Sequence, residues 1–301
     1  MARIALGRRR TGHRINLVPY LFVAVPLLMF LVWVIGPMFY SFYLSLTSWD
    51  GVSPPRFIGL RNYARLLEDP IFFTSLANNL KWLLSFITVP VALGLGLGLV
   101  LNRKLPGARL IKAAFYSPYI LSLIVVGLIW GWMYHPAGGL INSTLMALGL
   151  KSLAKGWLSD ARLATWCIIV AALWRQVGYV MILYLAGLQS VDPSLLDAGK
   201  VDGCNAWQQF WHIILPLLQP VTVVVVVISI IDSLRAFDLV FVMTRGGPYN
   251  SSSVMANFMY IEAFNNYKMG YGAAIATVLF LISAVFIYAY LSRMFANELE
   301  Y

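Results

Sequence analysis

Six long runs of apolar residues, separated by shorter polar stretches, organise the chain of 301 residues. They extend approximately over Leu17–Leu44, Leu80–Leu101, Ala113–Tyr134, Leu163–Leu188, Ile213–Ile231 and Tyr271–Arg293. Each run is about twenty residues or more, and a helix rising about 1.5 Å per residue then crosses a hydrocarbon core of about 30 Å. The pattern predicts an all-α integral membrane fold with six transmembrane helices. Arg8, Arg9, Arg10 and Arg14 precede the first run as they would precede a signal peptide. That run is too long for one and has no small-residue cleavage site, so it reads as an uncleaved first span.

The boundaries follow. Residues 1–16 form a basic tail, 17–45 the first transmembrane helix, and 46–79 an external connection with an interfacial helix. Residues 80–293 form a five-helix core that includes a polar loop over 189–212, and 294–301 form a C-terminal tail. In the first connection, Trp49-Asp50-Gly51 and two prolines read as turns ahead of the short helix. The second, around His135 to Arg162, is rich in Gly and Leu and carries Trp157, suited to an interfacial belt. The third, about Asp232 to Gly270, holds Arg245-Gly246-Gly247-Pro248 and a run of serines, a strong loop signal.

Composition agrees with a lipid solvent. Mean hydropathy is +0.76 and only 11% of residues are charged, against about 25% in soluble proteins. The net charge of +10 does not gather on one amphipathic element, which argues against nucleic acid. Arg3, Arg8, Arg9, Arg10 and Arg14 crowd the N-terminal tail, and Arg103, Lys104, Arg109 and Lys112 crowd the connection after the second span. Both belong in the cytoplasm by the positive-inside rule. Six spans then return the C-terminus to the same side, together with the loop after span four. Cys167 and Cys204 have no metal-ligand spacing and no disulfide logic. His13, His135 and His212 stand on separate segments, so no metal site is expected.

The polar loop has its own grammar. Pro193 through Val201 can start a helix capped by Asp192 or Ser194, with Leu195, Ala198 and Val201 on one face. Asp202-Gly203 breaks it, and Trp207, Phe210, Trp211 and Ile214 form a second apolar stripe leading to Pro216. From spacing alone this is a helical hairpin that either packs on its own bundle or receives a partner.

The residues of this loop resemble the "EAA" motif of permease subunits in ATP-driven importers. Ala198, Asp202, Gly203, Phe210, Ile213, Leu215 and Pro216 stand at matching positions, while Asp197, Gly199 and Cys204 depart from Glu, Ala and Ala. Phe57-Ile58-Gly59-Leu60-Arg61-Asn62-Tyr63 and Phe237-Asp238 through Thr244-Arg245-Gly246-Gly247-Pro248 resemble two further signatures of carbohydrate-importer permeases, in the right order. Leu185-Ala186-Gly187-Leu188-Gln189 leads into the loop. The chain thus resembles the MalF-like sugar permeases. The resemblance implies a type I importer fold, with a second permease subunit, two ATPase subunits and an external solute-binding protein as partners. It implies that Asp197, Ala198, Gly199, Asp202 and Gly203 couple to the ATPase, and that solute crosses the bacterial inner membrane by alternating access. No Gly-x-x-x-x-Gly-Lys-Ser/Thr loop occurs, so ATP is expected on the partner subunits, with no cofactor here.

Polar groups inside spans are costly and mark pathways. Arg175, Gln176 and Tyr179 in span four, and Ser229, Asp232 and Ser233 in and after span five, are candidates to line a sugar path. Aromatic faces stack on sugar C–H surfaces, and the others bond hydroxyls. The bland alternative is that Arg175 snorkels to an interface and Ser229 bonds its own helix. Gly94 with Gly98, and Gly127 with Gly131, are read as helix-packing pairs. An ion-coupled secondary transporter is the alternative function; it needs an intramembrane carboxylate relay, for which Asp232 is the only candidate. No hydrolase motif such as Gly-x-Ser-x-Gly is present, and no enzyme is expected.

Overall fold

Prolines and short polar residues, more than changes in hydropathy, set where the helices begin, widen and break. The structure is a computed structural model that describes residues 18–103 and 105–298. The basic tail over 1–16, Lys104 and residues 299–301 lie outside the described residues. The chain divides into two units, residues 1–43 and 44–301.

The first unit holds most of helix α1 (Tyr20–Ser45), whose apolar window has no buried residues. Pro37 has no N–H for the helical ladder, and the helix widens just before it: Gly36 N–H reaches back to the Leu31 carbonyl.

In the second unit, β1 (Thr47–Ser48) pairs antiparallel with β2 (Arg56–Phe57), Thr47 facing Phe57. The Asp50 carboxylate between them accepts from the Val52 and Ser53 amides and the Ser53 hydroxyl. Those bonds hold its pKa down at about 2. Helix α2 (Arg61–Glu68) is the short helix expected in this connection.

Helix α3 (Pro70–Leu101) begins at Pro70, not at Leu80, so residues 70–79 belong to the span and the 46–79 connection is shorter than expected. Asp69 caps it by accepting from Ile71 N–H, and Pro70 occupies the first turn, where no donor is missed. Two asparagines of this stretch are buried. Asn78 Nδ2 donates to the carbonyls of Ser251 and Ser253 at 2.7 and 2.8 Å, and Asn79 Oδ1 accepts from Met255 N–H.

The run Ala113–Tyr134 is not one helix. Helices α4 (Ala108–Ile120) and α5 (Leu123–Met133) meet at 101°. Pro118 cannot bond the Ala114 carbonyl, which the Ser117 hydroxyl takes instead at 3.0 Å. Leu121 is extended, and Ser122 caps α5 by accepting from Val125 N–H. Helix α6 (Leu140–Ala147) follows in the second connection, where the Asn142 side chain accepts from the Trp157 indole.

Helix α7 (Ala164–Gln189) is the most buried of the long helices. Helices α8 (Pro193–Val201) and α9 (Ala206–Leu217) form the expected hairpin. The run Ile213–Ile231 is also broken: α9 and α10 (Gln219–Leu234) are bent by 68° at Leu218. Pro216 is again preceded by a widened turn, with Leu215 N–H on the Phe210 carbonyl. The third connection contains α11 (Asp238–Met243) and α12 (Met255–Tyr260), which its loop signals concealed. Helix α13 (Met269–Glu298) ends the described chain.

Among the described residues, four helices are long and apolar enough to cross a membrane, and six spans result when each bent pair counts as one. Gly94 and Gly98 of α3 abut Val180 and Tyr184 of α7, and Gly127 abuts Val242, whereas Gly131 meets nothing. Three of the four small residues are therefore packing positions.

Candidate functional site

The break between α4 and α5 builds one wall of a cavity. Because Leu121 leaves the helical ladder, its carbonyl is open to a side chain, and Arg175 Nε of α7 donates to it at 3.3 Å. The same guanidinium lies over the Tyr119 ring, 4.3 Å from its centroid. Tyr119 in turn stacks on Tyr179, with centroids 4.4 Å apart and planes 7° from parallel. Arg175 and Tyr179 sit one turn apart on α7, so helix geometry alone aims both at Tyr119. Gly178, between them, lets the α4 backbone at Phe115 touch α7; a Cβ there would overlap the Phe115 carbonyl.

Opposite this wall, the end of α10 presents Asp232. Gln176 Nε2, itself buried, donates to Asp232 Oδ2 at 3.1 Å and ties α7 to α10. The cavity measures about 240 Å³ and is lined by Arg175, Gln176, Tyr119, Asp232, Arg235, Phe237 and Asp238, with Trp82 and Phe86 from α3 among the apolar lining. Trp82 and Phe86 are one turn apart on α3 and their rings lie 5.6 Å apart. The cavity thus joins aromatic faces to charged donors and acceptors, a combination suited to hydroxyl-bearing molecules.

The six residues singled out in the sequence divide. Arg175, Gln176 and Asp232 line the cavity together, and Tyr179 stands behind Tyr119 rather than at the lining. Ser229 and Ser233 are fully buried elsewhere on α10. The Ser233 hydroxyl donates to its own helix at Ile230, 2.8 Å away, and the Ser229 hydroxyl has no partner among the described residues. Sequence reasoning missed Tyr119, Trp82, Phe86, Arg235 and Asp238. Ending span five at Ile231 pushed Arg235 into an external loop. The signal was the charged series Asp232, Arg235, Asp238 at intervals of three, directly after an apolar run.

The hairpin is a second, separate surface. Asp192 is the cap of α8, its Oδ1 accepting from Ser194 N–H at 2.9 Å. That bond holds the Asp192 carboxyl below its ordinary pKa. Gly203 turns the chain at a φ of +82°, and Asn205 and Gln208 close a reciprocal capping box on α9. Gly199 is buried because the Ile213 side chain occupies the place of a Cβ. Leu195, Ala198 and Val201 instead face outward, as do Asp197 and Asp202. Among the described residues Asp197 pairs only with Lys200 on its own helix, 2.8 Å away, and both side chains are exposed. Trp207 is 68% exposed on α9.

A sequence profile for the family described as "binding-protein-dependent transport system inner membrane component" matches residues 9–298. A probable ABC transporter permease protein of Pyrococcus horikoshii is 38% identical over 93% of this chain and 97% of its own length. The trehalose/maltose transport system permease protein MalF of Thermococcus litoralis is 32% identical over 90% of this chain and 92% of its own. Among solved structures, a bacterial ABC transporter involved in the import of the acidic polysaccharide alginate superposes with a TM-score of 0.81. The match covers 92% of this chain and 94% of that one at 21% identity, a likeness of fold.

Proposed function

This chain belongs to the family of binding-protein-dependent transport system inner membrane components, and from that membership we propose that it is the sugar-translocating permease subunit of an ATP-driven importer. It is a multi-pass membrane protein of the type I permease fold, and the relatives it matches are permeases rather than enzymes. An external binding protein delivers the solute, which passes through the cavity by alternating access beside a second permease subunit. Two separate ATPase subunits bind the ATP and dock on the α8–α9 hairpin, and the hairpin and both termini lie in the cytoplasm.

The observation that carries this reading is the hairpin. A free-standing helical pair would turn its apolar side inward and leave an unremarkable polar face. Here Leu195, Ala198 and Val201 point outward beside Asp197, while the inward contact is made by the buried Gly199. An exposed face mixing apolar residues with two carboxylates is a docking face, and charge-assisted contacts to a basic partner suit it. The trehalose/maltose transporter among the relatives, and the mixture of aromatic and hydrogen-bonding groups in the cavity, support a saccharide as the cargo.

Uptake into proteoliposomes holding the complete complex tests the proposal. Uptake should require ATP and the binding protein and should survive an ionophore that collapses ion gradients. Uptake that follows the ion gradient and ignores ATP would replace this reading with a secondary transporter.

A further inference from the structure

A second pocket, of about 490 Å³, lies under the hairpin where it meets the ends of two spans. Leu99 on the last turn of α3 and Leu188 on the last turn of α7 form its apolar wall, together with Leu196, Phe210 and Ile214 of the hairpin. Leu196 lines this pocket, whereas Leu195, Ala198 and Val201 lie on the outward face of α8. The polar lining is Asn102, Arg103 and Gln209, with no carboxylate. Gln209 is taken up by the carbonyls of Leu196 and Cys204. Among the described residues the ion pairs are Lys200 with Asp197 and Lys268 with Glu262, so the exposed Arg103 brings an unneutralised positive charge to apolar walls. The surroundings are those of a membrane surface. Trp207 and Trp211 are exposed on α9 and cluster with Phe210, ring centroids 5.2 to 6.1 Å apart, and such aromatic residues collect at headgroup level. Arg109 and Lys112, at the start of α4, extend the basic stretch that includes Arg103.

We propose that this pocket seats an anionic phospholipid of the cytoplasmic leaflet, its phosphate on Arg103 and its acyl chains along Leu99, Leu188 and Ile214. The inference rests on the cytoplasmic placing of the hairpin in the importer reading and adds a lipid to the partners. A guanidinium matches a phosphate diester with two parallel hydrogen bonds, and the apolar walls take hydrocarbon out of water. A zwitterionic lipid brings the same phosphate with an ammonium that the guanidinium repels, so a net negative headgroup is preferred. Two of the walls belong to spans, which are continuous with the bilayer, and this favours lipid over a segment of the ATPase. Because α3, α7 and both arms of the hairpin share the pocket, one bound lipid braces the hairpin against the span ends.

Native mass spectrometry of the purified complex, offered equal amounts of palmitoyl-oleoyl phosphatidylglycerol and palmitoyl-oleoyl phosphatidylethanolamine, measures the preference. The wild type should retain phosphatidylglycerol about fivefold better, the worth of one arginine at an anionic surface. Arg103→Gln should bring the two lipids within about twofold of each other. Ala206→Trp, which fills the pocket and keeps Arg103, should lower retention of both lipids and serves if the first variant fails to assemble. Lys151→Gln, exposed in the second connection, should change nothing. Equal retention of the two lipids by the wild type overturns the proposal, as does wild-type behaviour of both pocket variants or a loss in Lys151→Gln as large as theirs. Displacement of the lipid by soluble glycerol phosphate would make this a site for free anions, and retention only after the ATPase subunits are stripped would give the pocket to the ATPase; either result overturns it too. The importer reading stands or falls separately, on ATP-dependent uptake.

Discussion

At the scale of single residues, the two candidate surfaces follow opposite rules. In the cavity two of the polar side chains are held by another element: Arg175 by the Leu121 carbonyl, Asp232 by Gln176. On the hairpin, Asp197 is held by Lys200 of its own helix and by no other described residue, and both are exposed. An exposed pair of this kind adds little to stability, so Asp197 is available to a partner. Asp197→Lys should leave folding and membrane insertion unchanged but abolish uptake and co-purification of the ATPase subunits. Pull-down from membranes and an uptake assay check both; normal ATPase recovery with normal uptake would remove Asp197 from the docking face. Of the hairpin residues, Asp197 is legible in the sequence as an acidic position in the EAA-like motif. The reason for Gly199 was not, because the side chain that fills its place, Ile213, lies on the other arm of the hairpin.

At the scale of elements, contacts and caps decide geometry that hydropathy leaves open. Gly178 allows α4 to press on α7, and that contact sets Tyr119 against Tyr179. Gly178→Leu should push the two helices apart and cost about 1–3 kcal/mol, the usual penalty of overpacking. A lower melting temperature of the purified protein, with reduced uptake, is the expected result. The α8 cap gives a pH signature. The Ser194 amide holds the Asp192 carboxyl below its ordinary value. The cap's contribution is therefore complete above the ordinary carboxylate range and is lost as pH falls through the lowered value, below about pH 4. Hydrogen exchange of the first-turn amides of α8, corrected for its intrinsic pH dependence, should show protection lost on acidification. Asp192→Asn should keep the cap and lose that dependence.

At the scale of the whole molecule, the open question is which side each connection faces. Six spans with a cytoplasmic N-terminus put the hairpin and the Arg245–Ser253 loop on opposite sides. Ser194 on the hairpin is exposed, whereas the loop's serines at 252 and 253 are buried, so a reporter in the loop belongs at an exposed residue. Tyr249, 98% exposed at the tip, serves instead. With Cys167 and Cys204 replaced, cysteines at Ser194 and Tyr249 should react with an impermeant thiol reagent from opposite faces of oriented vesicles, Ser194 from the cytoplasmic one. Reaction of both from one face would break the six-span topology.

The sequence by itself determined the membrane class, the apolar runs that the spans are built from and the helical hairpin. These depend on local properties: run length against bilayer thickness, a proline after a capping aspartate, an Asp-Gly turn. It also singled out Arg175, Gln176 and Asp232, because a polar residue in or beside an apolar run is visible without coordinates. Only the tertiary structure decided that α4–α5 and α9–α10 are bent, and that Pro70–Asn79 belongs to helix α3, with Asn78 and Asn79 buried, rather than to an external connection. Hydropathy cannot see a bend, since both arms are equally apolar. Nor can it tell a surface asparagine from Asn78, whose donors are met by backbone from residues 251 and 253. Tyr119 and Arg235 join the cavity for the same reason: their neighbours lie on elements far away in the chain, and folding alone brings them within reach.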